Sequence, residues 1–185
     1  MGCTFCATGL GGFIRNLSAA EMIAQIEAAQ QDAGVHVSSI VLMGMGEPLD
    51  NYDNVLKFLE LLSHKDGNNF SLRHVSLSTC GIVPKIYDLA ELKLGLTLCI
   101  SLHSSENSAR SEIMPVNRTY NIEALIEACK HYISATGRRI TFEYAVMDNV
   151  NSAEKDADRL AELLRGINCH VNLIPVNKVK ERKYT

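Results

Sequence analysis

Ser39-Ile40-Val41-Leu42-Met43-Gly44-Met45-Gly46-Glu47-Pro48 decides the fold of this chain. The run 39–43 is short, β-branched and apolar on both parities, which predicts a strand covered on both faces, as parallel strands are. It stops in a glycine-rich turn with a carboxylate, and no G-x-G-x-x-G or Walker phosphate loop follows. Outward from this stretch, strand and helix patterns alternate. Upstream, Ser18 and Glu21 form a capping box ahead of Met22, Ile23, Ile26 and Ala29 at helical spacing. Downstream, Val55, Leu56, Phe58, Leu59 and Leu62 predict an amphipathic helix, His74–Ser78 a strand and Val83–Leu92 a short helix. Leu96–Leu102 reads as a strand, Ile122–Ile133 as a helix, Arg139–Val146 as a strand, Ala153–Leu164 as a helix and Cys169–Ile174 as a fifth strand. The polar stretch Ser104–Tyr120 is either an active-site loop or a short extra helix.

Repeated strand–helix units of this kind predict an α/β protein with a parallel sheet and helices outside it. A doubly wound sheet would place a phosphate loop after its first strand, whereas a (β/α) barrel, or an arc of one, gathers polar residues at successive strand carboxyl ends. The second pattern fits. Gly44-Met45-Gly46-Glu47-Pro48 follows the first strand, Ser78-Thr79-Cys80-Gly81 the second, and Ser101-Leu102-His103 the third. Glu143 and Asp148 bracket the end of the fourth, and Pro175-Val176-Asn177 follows the fifth. Singly, each has a bland explanation: a turn glycine, a strand serine, a structural histidine. Their shared rim makes a site.

With 185 residues the chain is one domain's worth, and its 46% hydrophobic and 21% charged content is that of an ordinary globular protein. No apolar run approaches the roughly 18 residues of a membrane helix, and no signal-peptide pattern opens the chain, so no membrane is expected and the cytoplasm is the default. A net charge of −3 argues against a general nucleic-acid binder. RNA would need local clusters, of which Arg138-Arg139 and the tail Lys178, Lys180, Arg182 and Lys183 are the candidates, although such runs are more often solvated surface.

Six cysteines in such a chain do not read as disulfides. Cys99, Cys129 and Cys169 sit in apolar patterns and are expected to be small buried hydrophobes. Cys3 and Cys6 alone have ligand spacing. That spacing suits zinc, a redox pair or part of an iron–sulfur loop. Zinc would need two further ligands, and no second Cys-x2-Cys or His-x3-His is present. A redox pair would open a helix, but Ala7-Thr8-Gly9-Leu10-Gly11-Gly12 follows instead. The cluster reading remains if a third cysteine precedes Cys3 by four positions, as in Cys-x3-Cys-x2-Cys.

Gly2-Cys3-Thr4-Phe5-Cys6-Ala7-Thr8-Gly9, Phe13-Ile14-Arg15-Asn16-Leu17 and Met43-Gly44-Met45-Gly46-Glu47-Pro48 resemble the corresponding segments of the radical S-adenosylmethionine (SAM) RNA adenine-C2 methyltransferases. Leu77-Ser78-Thr79, Ser101-Leu102-His103, Met114-Pro115-Val116-Asn117 and Asn172-Leu173-Ile174-Pro175-Val176-Asn177 match that family in order and spacing, so the resemblance spans the chain. It implies a [4Fe–4S] cluster held through Cys3 and Cys6, and S-adenosylmethionine contacted by Gly46, Glu47, Ser78, Ser101, Leu102, His103 and Asn177. It also implies adenine-C2 methylation of 23S rRNA and tRNA, with electrons from a donor such as flavodoxin. In that family the methyl group passes first to a cysteine near the C-terminus and then, as a methylene, onto the ring, while a second cysteine upstream of the cluster loop helps release the product. Neither position falls within this chain, nor does the first cluster ligand, so no catalytic residue is assigned here. The expectation is residues 1–185 as a single core domain: a partial (β/α) barrel truncated at both ends, without its first strand, N-terminal accessory domain and C-terminal segment, and inactive alone. Two alternatives stay open, the related C8-methylating resistance enzyme and a non-catalytic remnant that binds S-adenosylmethionine or RNA.

Overall fold

The computed structural model of the protein describes residues 1–177 and residue 181, so the basic tail Lys178, Lys180, Arg182 and Lys183 lies outside the described residues. Five parallel strands form one sheet in the order β1-β2-β3-β4-β5: β1 (Ile40–Leu42), β2 (Val75–Thr79), β3 (Thr97–Ser101), β4 (Ile140–Val146) and β5 (Cys169–Pro175). Strand order equals chain order, so the sheet winds in one direction and has no switch point. This is the arc of a barrel and excludes a doubly wound sheet. The helices are α1 (Ala19–Ala33), α2 (Tyr52–Ser63), α3 (Val83–Glu91), α4 (Asn107–Ile113), α5 (Ile122–Thr136) and α6 (Glu154–Leu163).

Local chemistry sets these bounds. Ser18 caps α1 by accepting the Glu21 N–H while the Glu21 carboxylate accepts the Ser18 N–H, and Gly34 closes the helix in the left-handed region at φ 65°. Asn121 Oδ1 caps α5 by accepting the Ala124 N–H at 3.0 Å, and Gly137 ends it at φ 66°. The stretch Ser104–Tyr120 contains α4 and a turn of 3₁₀ helix, Pro115–Arg118, which settles the choice between loop and short helix.

The sheet has two unlike faces. Val75, Leu77, Leu98, Ile100, Ile140 and Phe142 are wholly buried against helix residues such as Phe58, Leu59, Ile86, Leu89, Leu125 and Cys129. At about 1.5–3 kcal/mol for each large apolar side chain removed from water, this face is the main source of stability. The opposite parity is polar: Ser76, Ser78, Thr97, Ser101, Thr141, Glu143, His170 and Asn172 line the open face. Cys99 and Cys129 are buried as expected, but Cys169 is only half-buried, because it starts the edge strand β5, which pairs with β4 alone among the described residues. Val41 and Leu173, on the two edge strands, are each 61% exposed.

Candidate active site at the strand carboxyl ends

Parallel pairing in register brings the five carboxyl ends to one rim. The cysteine loop lies on this rim. The Cys6 N–H donates to the Cys3 carbonyl at 3.2 Å, closing a turn, and the Thr4 N–H donates to the Ile113 carbonyl at 2.9 Å. Cys3 and Phe5 pack on a second apolar cluster of Cys80, Ile113, Met114, Ala145 and Met147, separate from the main core. Burial pushes the Cys3 thiol up, nearby Cys6 adds to the rise, and Arg110 opposes it.

Glu47 joins two strand ends. Its Oε1 accepts from the Leu49 N–H at 3.0 Å and its Oε2 from the Cys80 N–H at 2.7 Å. Gly46 before it has φ 94°, a conformation closed to most side chains. Gly81, after β2, has φ 104°, and a Cβ there would lie 2.9 Å from Leu125 Cδ1. Two sequence glycines are therefore structural requirements of the rim.

Arg110 organises the rim from below. It is wholly buried, and its Nε donates to the Leu102 carbonyl, Nη1 to Asn117 Oδ1, and Nη2 to the carbonyls of Cys80 and Ser101, all at 2.9–3.0 Å. Burial lowers its pKa to about 10, so it is cationic at neutral pH. No carboxylate pairs with it among the described residues. Asn117 relays the contact onward, donating to the Asn107 carbonyl and to Ser111 Oγ.

His103 is buried, with a left-handed φ of 55°, and its Nδ1 accepts the Ala145 N–H at 2.9 Å. That bond places the ring proton on Nε2. Burial, with Arg110 nearby, drops its pKa to about 3. The Phe5 ring stands edge-on to it, centroids 4.9 Å apart. Asn151 donates to the carbonyls of His103 and Ala145, both at 2.7 Å, and fixes this corner.

Of the residues predicted from sequence, Glu47, Ser78, Ser101, Leu102 and His103 meet at one rim with Cys3 and Cys6 above it. Glu47 is already engaged by two backbone N–H groups, each of which leaves a lone pair on its oxygen. Leu102 is buried and its carbonyl serves Arg110, so it forms a wall behind the rim. Ser78 and Ser101 are half-buried on the open face, and among the described residues neither hydroxyl has a partner. Gly46 and Asn177 are exposed at the two ends of the arc. Glu143, expected with Asp148 to bracket the end of β4, lies within the strand, and Asp148 follows it. Glu143 pairs with Ser101 and Asn172 in register and accepts from Asn172 Nδ2 at 2.7 Å.

Residues 1–164 match the family described as the radical SAM superfamily. The chain belongs to that family. Among curated radical SAM relatives, a probable dual-specificity RNA methyltransferase RlmN of Clostridioides difficile (strain 630) is 52% identical over 184 residues, covering 100% of this chain and 54% of the relative. The chain thus spans about half the length of the curated relatives it matches. The crystal structure of a radical SAM methyltransferase from Sphaerobacter thermophilus superimposes with a TM-score of 0.95 at 46% identity, over 99% of this chain and 55% of that one. Streptococcus suis SuiB bound to S-adenosylmethionine shares the fold alone, with a TM-score of 0.68 at 17% identity over 99% of this chain and 40% of SuiB.

Membership implies a [4Fe–4S] cluster and S-adenosylmethionine. The donor set fits in kind: Cys3 and Cys6 are soft thiols joined by one turn, with Cys6 close enough to add to the rise of the Cys3 thiol, beside the cationic Arg110. In number they fit as two of three ligands, because among the described residues no third His, Cys, Asp or Glu groups with them. Arg110 and Asn151 were not singled out from sequence, and Asn117 only within the Met114-Pro115-Val116-Asn117 match. The Arg110–Asn117 link spans seven residues inside Ser104–Tyr120, a stretch that reads as either an active-site loop or a short extra helix.

Proposed function

We propose that residues 1–185 are the core domain of a radical SAM methyltransferase that modifies adenine C2 in 23S rRNA and tRNA by way of a methyl-cysteine, with the methyl-carrying and resolving cysteines outside this chain. The observation that carries the reading is the assembly at one strand-end rim of a cysteine loop, a carboxylate turn and two serine hydroxyls that have no partner among the described residues, above a polar open face. In this reading Cys3 and Cys6 ligate the cluster, which supplies one-electron cleavage of the sulfonium. Gly46 leaves room for the ligand's backbone-like end, and a free lone pair of Glu47 accepts from its ammonium. Ser78 and Ser101 hydrogen-bond its polar groups, His103 offers Nε2–H, Leu102 backs the rim, and Asn177 closes the far end. The neutral His103 donates a hydrogen bond but no positive charge, which suits a site next to a sulfonium.

The RNA lies across the open face in this reading, and the electron donor is a small reduced protein such as flavodoxin. Among the described residues no helix is long and apolar enough to cross a membrane; the RNA substrates of this reading place its action in the cytoplasm.

The test is to graft residues 1–185 in place of the matching 184 residues of the C. difficile relative, reconstitute it anaerobically, and map the methylated carbon in an rRNA fragment. Methylation at C2 supports the assignment. Methylation at C8 replaces it with the resistance-type enzyme, and a folded graft that methylates neither carbon makes the chain a non-catalytic remnant.

A further inference from the structure

The amino-terminal ends of β3 and β4 form a second polar site, at the opposite end of the strands from Glu47 and His103. A cavity of about 240 Å³ opens there, lined by Thr97, Gly137, Arg138 and Arg139. Its lining holds two guanidinium groups and a hydroxyl but no carboxylate. Neither arginine has an ion-pair partner among the described residues.

Two buried side-chain polar atoms lack a hydrogen bond among the described residues, and both belong to this corner: Arg138 Nε and Tyr132 Oη. Arg138 acts electrostatically on the Tyr132 hydroxyl, which burial pushes up to about 12. Buried donors are normally satisfied, and an orphaned one costs about the desolvation of the group. A solvated arginine pair would not leave its Nε shielded from water. The loop is also held stiffly. Thr136 Oγ1 donates to the Tyr132 carbonyl at 2.6 Å and accepts the Arg138 N–H at 3.1 Å, and Gly137 turns at φ 66°.

We infer that this cavity binds a phosphate group, held by Arg138 and Arg139 with the Thr97 hydroxyl. A tetrahedral dianion in the cavity neutralises two cations that have no ion-pair partner among the described residues, and planar guanidinium forks suit its oxygens. The phosphate can be free or part of an RNA backbone. The RNA source rests on the function proposed above, whereas the phosphate site does not.

The test is a thermal-melt titration of the 185-residue chain with inorganic phosphate, comparing wild type, Arg138→Gln and Arg139→Gln, followed by competition with a twelve-nucleotide single-stranded RNA. A ligand that binds only the folded state raises the melting temperature with concentration. Phosphate is expected to stabilise the wild type, and either substitution to weaken the apparent affinity roughly tenfold or more, the loss of one charge-assisted contact. The second variant covers the case in which the first fails to fold. If RNA competes with phosphate and Arg138→Gln weakens both, the source is the RNA backbone. If phosphate binds and RNA does not compete, the site takes free phosphate, and the methyltransferase reading is untouched. Absence of phosphate stabilisation in the wild type, or equal stabilisation in the wild type and both variants, overturns the inference.

Discussion

The Cys80 backbone N–H donates to Glu47 Oε2 at 2.7 Å across a separation of 33 residues, tying the turn after β1 to the end of β2. Glu47 Oε1 meanwhile caps the following 3₁₀ turn through Leu49. A carboxylate is needed because both oxygens accept. Glu47→Gln presents one oxygen and one NH₂, so one N–H faces a donor. The expected loss is about 1–3 kcal/mol of stability, read from urea denaturation, together with weaker S-adenosylmethionine binding in the grafted enzyme. Unchanged stability would mean that the carboxylate holds neither strand end.

Arg110→Met should be far more damaging. It strips the donors from three carbonyls and from Asn117 Oδ1 at once, in a fully buried place. Leaving buried acceptors unpaired costs about 1–3 kcal/mol each before relaxation, enough to unfold a domain of ordinary stability. Arg110→Lys keeps the charge but not the fork and should fall between the two. Circular dichroism melts give the order wild type, Lys, Met. A Met variant as stable as the wild type would show that water replaces the guanidinium.

The fold was legible in the sequence because its signals are local. The Ser18–Glu21 box, the apolar strands and the helical spacing of the apolar residues each act within a few residues, so element order and the rim could be read. Long-range polar contacts could not. Whether the Glu47 carboxylate faces a ligand or the Cys80 N–H depends on a neighbour 33 residues away, and Arg110 reads as an ordinary surface arginine until the fold closes over it. The half-burial of Cys169 follows from its place on an edge strand, which an apolar pattern does not encode.

His103 sets a pH dependence. Its pKa is lowered from 6.5 to about 3 in the folded protein, so above about pH 6.5 it is neutral in both states and its contribution is fully present. As pH falls from 6.5 toward 3 the unfolded chain takes up a proton that the folded chain refuses, and stability drops. His103→Asn keeps a short acceptor for the Ala145 N–H and tolerates the left-handed backbone, but it does not titrate. Its stability should fall less steeply than the wild type's over this interval, as followed by denaturation at stepped pH. Identical slopes would remove the histidine from the account.

The 185-residue chain offers two grouped thiols, Cys3 and Cys6, and no third ligand beside them among the described residues. On anaerobic reconstitution it should hold well under one four-iron centre per chain, whereas the graft should hold one, its third ligand being the cysteine that the family resemblance places four positions before Cys3, in the relative's flanking segment. Iron and sulfide analysis distinguishes these. A stoichiometric four-iron centre on the short chain would show that another group, such as Cys80 beside Cys3, completes the site.

S-adenosylmethionine affinity at the strand-end rim tests the account most directly. Equilibrium dialysis with the anaerobically reconstituted graft should show one molecule bound per chain. The double variant Ser78→Ala/Ser101→Ala removes two hydroxyls that have no partner among the described residues and should bind roughly tenfold or more weakly, at about 1 kcal/mol per hydrogen bond, with iron content and melting temperature unchanged. A graft that folds, holds its four irons and binds S-adenosylmethionine equally well with or without the two hydroxyls would contradict the placement of the ligand on this rim.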